Sequence, residues 1–154
     1  MRQAYQMRLA DLGDHGWLMC QVASDCLRDA TKALLDADLV LAEQVIASDV
    51  RLDEMRSNAE NVALELLALE APVASDLRTV ISAIWIVADM QRMGALAIHV
   101  AKAARRRHPA HVIPSEIRPI VEPMGRVGVH LADQAGIVLR ERDVDLARDR
   151  KSVV

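Results

Sequence analysis

Between Ala71 and Ala104 the chain reads APVASDLRTVISAIWIVADMQRMGALAIHVAKAA, and a set of its residues falls in alternating steps of four and three: Val73, Leu77, Val80, Ile84, Val87, Gln91, Gly94, Ile98 and Ala101. Steps that average 3.5 keep one helix face in line, whereas a strand would need a period of two. This seam predicts a long helix with one edge committed to a partner. One seam position, Gln91, is polar, and Ala95 stacks one turn above it. Arg78, Ser82, Trp85, Asp89 and Arg92 form a second, flanking stripe.

The chain before this segment repeats the pattern twice. Tyr5, Leu9, Leu12, Gly16, Met19, Ala23, Cys26, Ala30 and Ala33 predict one amphipathic helix over about residues 3–36. After a turn near Asp36 to Asp38, Leu41, Val45, Ser48, Leu52, Met55, Ala59, Val62, Leu66 and Leu69 predict a second, to about residue 70, and Pro72 starts the third. Three helices of ~30 residues with short connections make an antiparallel three-helix bundle ~45 Å long. The mainly charged faces opposite the seams, such as Arg51, Glu54 and Asn58 on the second helix, read as solvated surface.

Composition agrees with a small all-α protein. The chain has 154 residues, no Phe and only two Trp and one Tyr, so its core must be aliphatic. Cys20 and Cys26, six apart on one helix, lie ~9 Å apart along the axis, beyond disulfide reach, and read as reduced packing residues. The charged start, MRQAYQMRLADLGD, lacks the apolar run of a signal peptide, and the apolar run around Thr79 to Met90 reads as too short to span a bilayer. A cytoplasmic protein without membrane insertion is expected. The net charge of -3 gives no general attraction to nucleic acid. The basic cluster Arg105, Arg106, Arg107 and His108 is read as cations complementing a helix C-terminus.

A connector from Arg107 to Ser115 holds two prolines and two histidines and reads as a linker. Beyond it, residues 124–147 align with residues 19–42 at an offset of 105 with seven identities in twenty-four, a sign of duplication. Three segments follow: a three-helix repeat over 1–106, a linker over 107–114, and over 115–154 the start of a second, incomplete repeat with a fourth helix and the beginning of a fifth. The register would carry a full second copy to about residue 209 (104 + 105). Arg150 and Lys151, opposite Val45 and Ile46 of the first copy, leave the pattern. On the fourth helix, about Ser115 to Arg140, the apolar residues Val127, Leu131, Ile137 and Leu139 lack the helices that would cover them. They are expected either to fold back on the first bundle or to pair between chains in a homodimer.

Pro72-Val-Ala-Ser-Asp-Leu-Arg78 and Asp89-Met-Gln-Arg-Met-Gly-Ala95 resemble the PhoU family, accessory regulators of bacterial phosphate uptake built as tandem helical-bundle repeats. The resemblance implies regulation without catalysis, by binding between the phosphate ABC transporter ATPase and a sensor histidine kinase, so that phosphate-starvation signalling is damped. It places Asp76, Arg78, Asp89 and Arg92 at positions that family members retain, as a recognition surface or as helix-end locks. Family members carry an acidic pair, associated with bound metal ions, where this chain has Gln91 and Ala95. Hard cations want anionic oxygen ligands, so no metal or other cofactor is expected here. His99, one turn further on, is a lone imidazole without partner ligands.

Two other readings bear on the helical pattern. His99-Val-Ala-Lys-Ala103 resembles the His-x-x-Lys-Gly motif of histidine phosphotransfer domains, with Ala103 in place of the glycine. A ferritin-type di-metal enzyme would need Glu-x-x-His pairs, and none occurs; Glu43, Glu54, Glu60, Glu65 and Glu70 are scattered. No catalytic triad or phosphate-binding glycine loop is present. His15, His108, His111 and His130 lack ligand spacing and are expected at the surface.

Overall fold

A computed structural model describes residues 2–69 and 73–141. It contains four helices, α1 (Arg2–Asp36), α2 (Leu39–Leu69), α3 (Ala74–Arg107) and α4 (Arg118–Glu141), and no strand occurs among the described residues. The all-α bundle and the helix limits expected from periodicity are therefore observed within a few residues. Glu70, Ala71 and Pro72, where the third helix was expected to start, lie outside the described residues. So does 142–154, where a fifth helix was expected to begin.

Helix α1 sits at the centre, packed by α2, α3 and α4, while α2 and α3 pack on each other. Every residue of the expected α1 seam, from Tyr5 to Ala33, is buried. On α2, Val45, Leu52, Ala59 and Leu66 are buried and the intervening seam residues half-buried; on α3, burial runs from Val80 through Val87, Gly94 and Ile98 to Ala101. The α3 seam fails at its start. Val73 is 66% exposed and Leu77 41%. Toward the opposite end the core narrows to Ala30, Ala33, Ala42, Ala101 and Ala104, small side chains that let three backbones approach closely.

The 34 residues of α3 include an 18-residue window of mean hydropathy 1.3, which corrects the expectation that its apolar stretch is too short to span a bilayer. Length and composition alone would allow a crossing. In the fold one face of α3 packs on α1 and α2, and 22% of this window is buried.

Ala37 closes α1 in the left-handed conformation, at φ 53°, with the Asp38 amide donating to the Ala33 carbonyl at 3.1 Å. The Asp38 carboxylate then accepts from the Leu41 amide at 3.0 Å and starts α2. α1 has no basic residue in its last turn, and its free carbonyls are met from elsewhere. Arg118 Nη1 donates to the Leu35 carbonyl at 2.8 Å, His111 Nδ1 lies 3.0 Å from the same oxygen, and His108 Nδ1 lies 3.0 Å from the Ala37 carbonyl. His108 and His111 are thus more than the surface residues expected: the connector is tied to the α1–α2 turn because unsatisfied helix-end carbonyls attract donors.

Helix α4 folds back along α1 in the antiparallel sense. Gly125 faces Thr31, Gly128 faces Leu27, Gly136 faces Cys20 and Trp17, and Leu139 lies against Gly16. A side chain at Gly125 would overlap the Thr31 methyl, so this close approach requires glycine. The buried Ser24 hydroxyl donates to Asp133 at 2.5 Å, and the Arg140 guanidinium sits 4.6 Å from the centre of the Trp17 ring. Folding back half-covers Leu131, Ile137 and Leu139 and leaves Val127 exposed.

The contacts carry the duplication offset. Adding 105 to Cys20 gives Gly125, and adding 105 to Thr31 gives Gly136. The observed pairs Thr31 with Gly125 and Cys20 with Gly136 are therefore exchanged by the same shift, as a two-fold relation between α1 and α4 demands.

Candidate functional site

The flanking stripe of α3 faces away from its neighbours. Arg78, Ser82, Trp85, Asp89 and Arg92 are all exposed, and Trp85, one of only two tryptophans, is 68% exposed. Among the described residues no ion pair involves Arg78, Asp89 or Arg92. Neither arginine pairs with an acid of a neighbouring helix among the described residues. Asp76 lies half-buried in the first turn of α3, where its carboxylate faces the positive end of the helix dipole; the N-cap, Val73, offers no side-chain cap.

Arg78 and Ser82 also form the rim of a groove of about 390 Å³ between the N-terminal parts of α1 and α3 and the end of α4. Its floor is apolar, with Leu9, Leu12, Ile86 and Leu139. The Arg78 end of the stripe therefore borders a concave apolar surface.

Gln91 lies off this stripe, between α3 and α2. Its Nε2 donates to Asp53 Oδ1 at 2.9 Å, and its Oε1 accepts from Arg56 Nη1 at 3.3 Å; Arg56 Nε continues to Glu60 at 2.7 Å. An amide suits this place because it donates and accepts at once. The residues do not fit a divalent cation. The Asp53 carboxylate already accepts from Gln91, the Arg56 guanidinium takes up the Gln91 amide oxygen, Ala95 offers no ligand atom, and no group of three or more His, Cys, Asp or Glu converges among the described residues. The position works as a polar staple between helices.

His99 is exposed on α3, half-buried Lys102 follows it, and neither makes an ion pair among the described residues. Arg105 pairs with Glu43 at 3.5 Å, and the last-turn arginines lie at the C-terminus of α3 as expected. A second groove, of about 590 Å³, runs between α1 and α4, but its cations are internally neutralised: Arg118 bonds Asp36 at 2.9 Å, Arg126 pairs with Glu122 at 3.3 Å and Lys32 with Asp36 at 3.5 Å. Sequence reasoning named four of the charged residues, Asp76, Arg78, Asp89 and Arg92. It placed Trp85 on the stripe without singling it out, and it missed the groove, which depends on where α4 ends.

The PhoU domain profile matches residues 17–104. The chain is 50% identical over 147 residues to the Mycobacterium tuberculosis protein named phosphate-specific transport system accessory protein PhoU homolog 2, covering 96% of this chain and 69% of that one. It is 36% identical over 102 residues to the Pseudomonas aeruginosa PhoU homolog, covering 66% and 42%. The crystal structure of the phosphate transport system regulatory protein PhoU from Streptococcus pneumoniae superposes with a TM-score of 0.83 at 24% identity, over 95% of this chain and 68% of that one, which establishes likeness of fold. On the profile match and the mycobacterial identity, the chain belongs to the PhoU family.

Proposed function

We propose that this protein is a non-catalytic accessory regulator of phosphate uptake and phosphate-starvation signalling, acting by docking between the phosphate ABC transporter ATPase and a sensor histidine kinase. The observation that carries the reading is the α3 stripe, whose arginines, aspartate and tryptophan are exposed and unengaged on a helix whose opposite face is core. Charged side chains without internal partners, grouped about an exposed aromatic, suit recognition better than stability. The relatives' names, with their words "phosphate-specific transport system accessory protein", support the same reading.

On this reading the protein is cytoplasmic, without nucleic-acid binding or membrane insertion, and it needs no metal or other cofactor, since an amide and a methyl group stand where the family's acidic pair would be. Pairing into a homodimer is part of the proposal. Its support is the row Ile120, Met124 and Val127, exposed on one edge of α4 at steps of four and three, with Ile117 exposed just before the helix. The test of the regulatory reading is capture of the transporter ATPase and of the sensor kinase on immobilised protein, wild type beside Arg78→Ala. Loss of capture with an unchanged melting temperature supports it; unchanged capture with lowered stability refutes the interaction role of Arg78.

One observation favours a second reading, phosphotransfer through His99: the imidazole is exposed, as in-line attack on a phosphodonor requires. Acid-labile phosphate on His99 after incubation with a kinase would support that reading, and its absence would end it.

A further inference from the structure

Three groups on one exposed face of α3 set a fixed ruler. Arg78, Trp85 and Arg92 follow at seven-residue steps, so they rise by ~10.5 Å each and stay within ~20° of one line. Asp89 stands between Trp85 and Arg92, ~6 Å beyond the indole. Elsewhere on the molecule, the cations of the α1–α4 groove are each held by an acid. Here they are not, and an indole and guanidinium groups are the side chains that most often anchor protein interfaces.

We infer that the α3 stripe binds an amphipathic helix of another protein, one that presents a carboxylate, an apolar residue and a second carboxylate at positions 1, 8 and 15, with a cation placed to meet Asp89. The inference rests on the docking role proposed above and specifies the partner. A helix fits because its own seven-residue step reproduces the ~10.5 Å spacing over ~21 Å, and because the apolar groove beside Arg78 can take the edge of such a helix. Asp89 fixes the direction. In an antiparallel partner the cation stands at position 4, between the first carboxylate, facing Arg92, and the apolar residue, facing Trp85; in a parallel partner it stands at position 12.

A second copy of this chain is excluded as the occupant by the same arithmetic. No acidic residue in the 154-residue sequence is followed by Lys or Arg at the fourth position, an apolar residue at the eighth and an acid at the fifteenth. The parallel arrangement, with the base at the twelfth position, is absent as well.

The test titrates the full chain with synthetic alanine-based helical peptides carrying Glu, Lys, Leu and Glu at positions 1, 4, 8 and 15, or the same leucine with the charges inverted. Trp85 emission is followed, with Trp85→Phe as the blank for Trp17. The expected result is a blue shift and roughly tenfold tighter binding of the first peptide, a preference that weakens with salt and reverses in Arg78→Glu/Arg92→Glu. Both arginines are exposed and unpaired, so that variant should keep its helical circular dichroism, which is measured alongside. Equal binding of the two peptides, or binding of neither by a folded chain, overturns the inference. Capture of the transporter ATPase together with indifference to the peptides would overturn this inference alone; peptide preference without capture of either proposed partner would support it and refute the regulatory reading.

Discussion

Replacing Gly125 by alanine tests whether the α1–α4 interface is as tight as its geometry states. A Cβ at Gly125 would lie 2.8 Å from Thr31 Oγ1 and 3.1 Å from Thr31 Cβ, and closer still to the methyl group. Thr31 cannot easily turn aside. It is β-branched, and its hydroxyl donates to the Leu27 carbonyl at 2.7 Å. Forcing a methyl group into such a contact costs about 1–3 kcal/mol. Alanine gains about 1 kcal/mol over glycine in a helix interior, so the net effect is about 0–2 kcal/mol of destabilisation. For a domain of this size 1 kcal/mol lowers the melting temperature by about 2–4 °C. In a Thr31→Ala background the two nearest obstructing atoms are gone, and Gly125→Ala should turn stabilising by up to about 1 kcal/mol. The cycle should therefore show a coupling of about 1–3 kcal/mol. Urea unfolding followed by far-ultraviolet dichroism gives the four stabilities, and Trp17 emission in a Trp85→Phe background reports on the same interface. A stabilising Gly125→Ala in the wild-type background, with coupling under about 0.3 kcal/mol, would refute the packing argument.

Further outcomes follow from the polar contacts. Gln91→Glu with Ala95→Asp, which supplies the acidic pair, should lower stability in chelator because a second carboxylate meets Asp53. Millimolar manganese should then raise its melting temperature while leaving the wild type unmoved; equal shifts would show that the present residues already bind the ion. Asp133→Leu should cost about 1–3 kcal/mol by leaving the Ser24 hydroxyl buried without its acceptor, with part recovered by adding Ser24→Ala, as read from urea midpoints. Burial pushes the Cys26 thiol above its ordinary value of 9.0, against a hydrogen bond from Ser48 that lowers it, so the thiol should resist alkylation in the native state at mildly alkaline pH. The sign follows: the group leaves stability intact below that value and subtracts from it as pH rises beyond, and Ser48→Ala should deepen the alkaline loss. The Arg118 guanidinium holds the Asp36 carboxyl below its ordinary value of 3.8, so this contact stabilises above that pH and is lost as acid protonates Asp36. Because Asp36 is largely exposed, Arg118→Met should reduce the acid dependence by less than about 1 kcal/mol, seen in melting temperatures on either side of that pH.

The parts of the molecule legible in the sequence are those governed by local periodicity. The α1 seam from Tyr5 to Ala33 could be read because burial on a straight helix depends only on angle about its axis, and every one of those residues is buried. That Cys20 and Cys26 do not bond each other follows from rise per residue, and the structure has neither in a disulfide. Val73 and Leu77 share the angle of the buried Val80 and are nevertheless exposed, so periodicity gives a side of the helix but not how far along it the covering extends. The bonds of Gln91 to Asp53 and Arg56 depend on the relative height of α2 and α3, which a seam leaves undetermined. His108 and His111 were read by ligand spacing, whereas their partners are backbone carbonyls of α1 more than seventy positions away in sequence.

The repeat carries one more step. Aligning the chain with itself at 105 was a statement about ancestry, but in a folded molecule it also states which face of α4 meets which face of α1. If the first helix of each copy packs against the other about a two-fold axis, a contact between positions a and b + 105 implies one between b and a + 105. Thr31 with Gly125 and Cys20 with Gly136 satisfy this relation, and in both pairs α4 supplies the glycine while α1 supplies the side chain. Gly16 against Leu139 has the glycine on α1 instead. α1 is covered by α2, α3 and α4, and as the central element it buries its whole seam. α4 touches α1, half-covers Leu131, Ile137 and Leu139, and leaves Ile120, Met124 and Val127 exposed. Detaching α4 gives up one interface and detaching α1 gives up three, so local opening should begin at α4, with α1 amides the last to exchange.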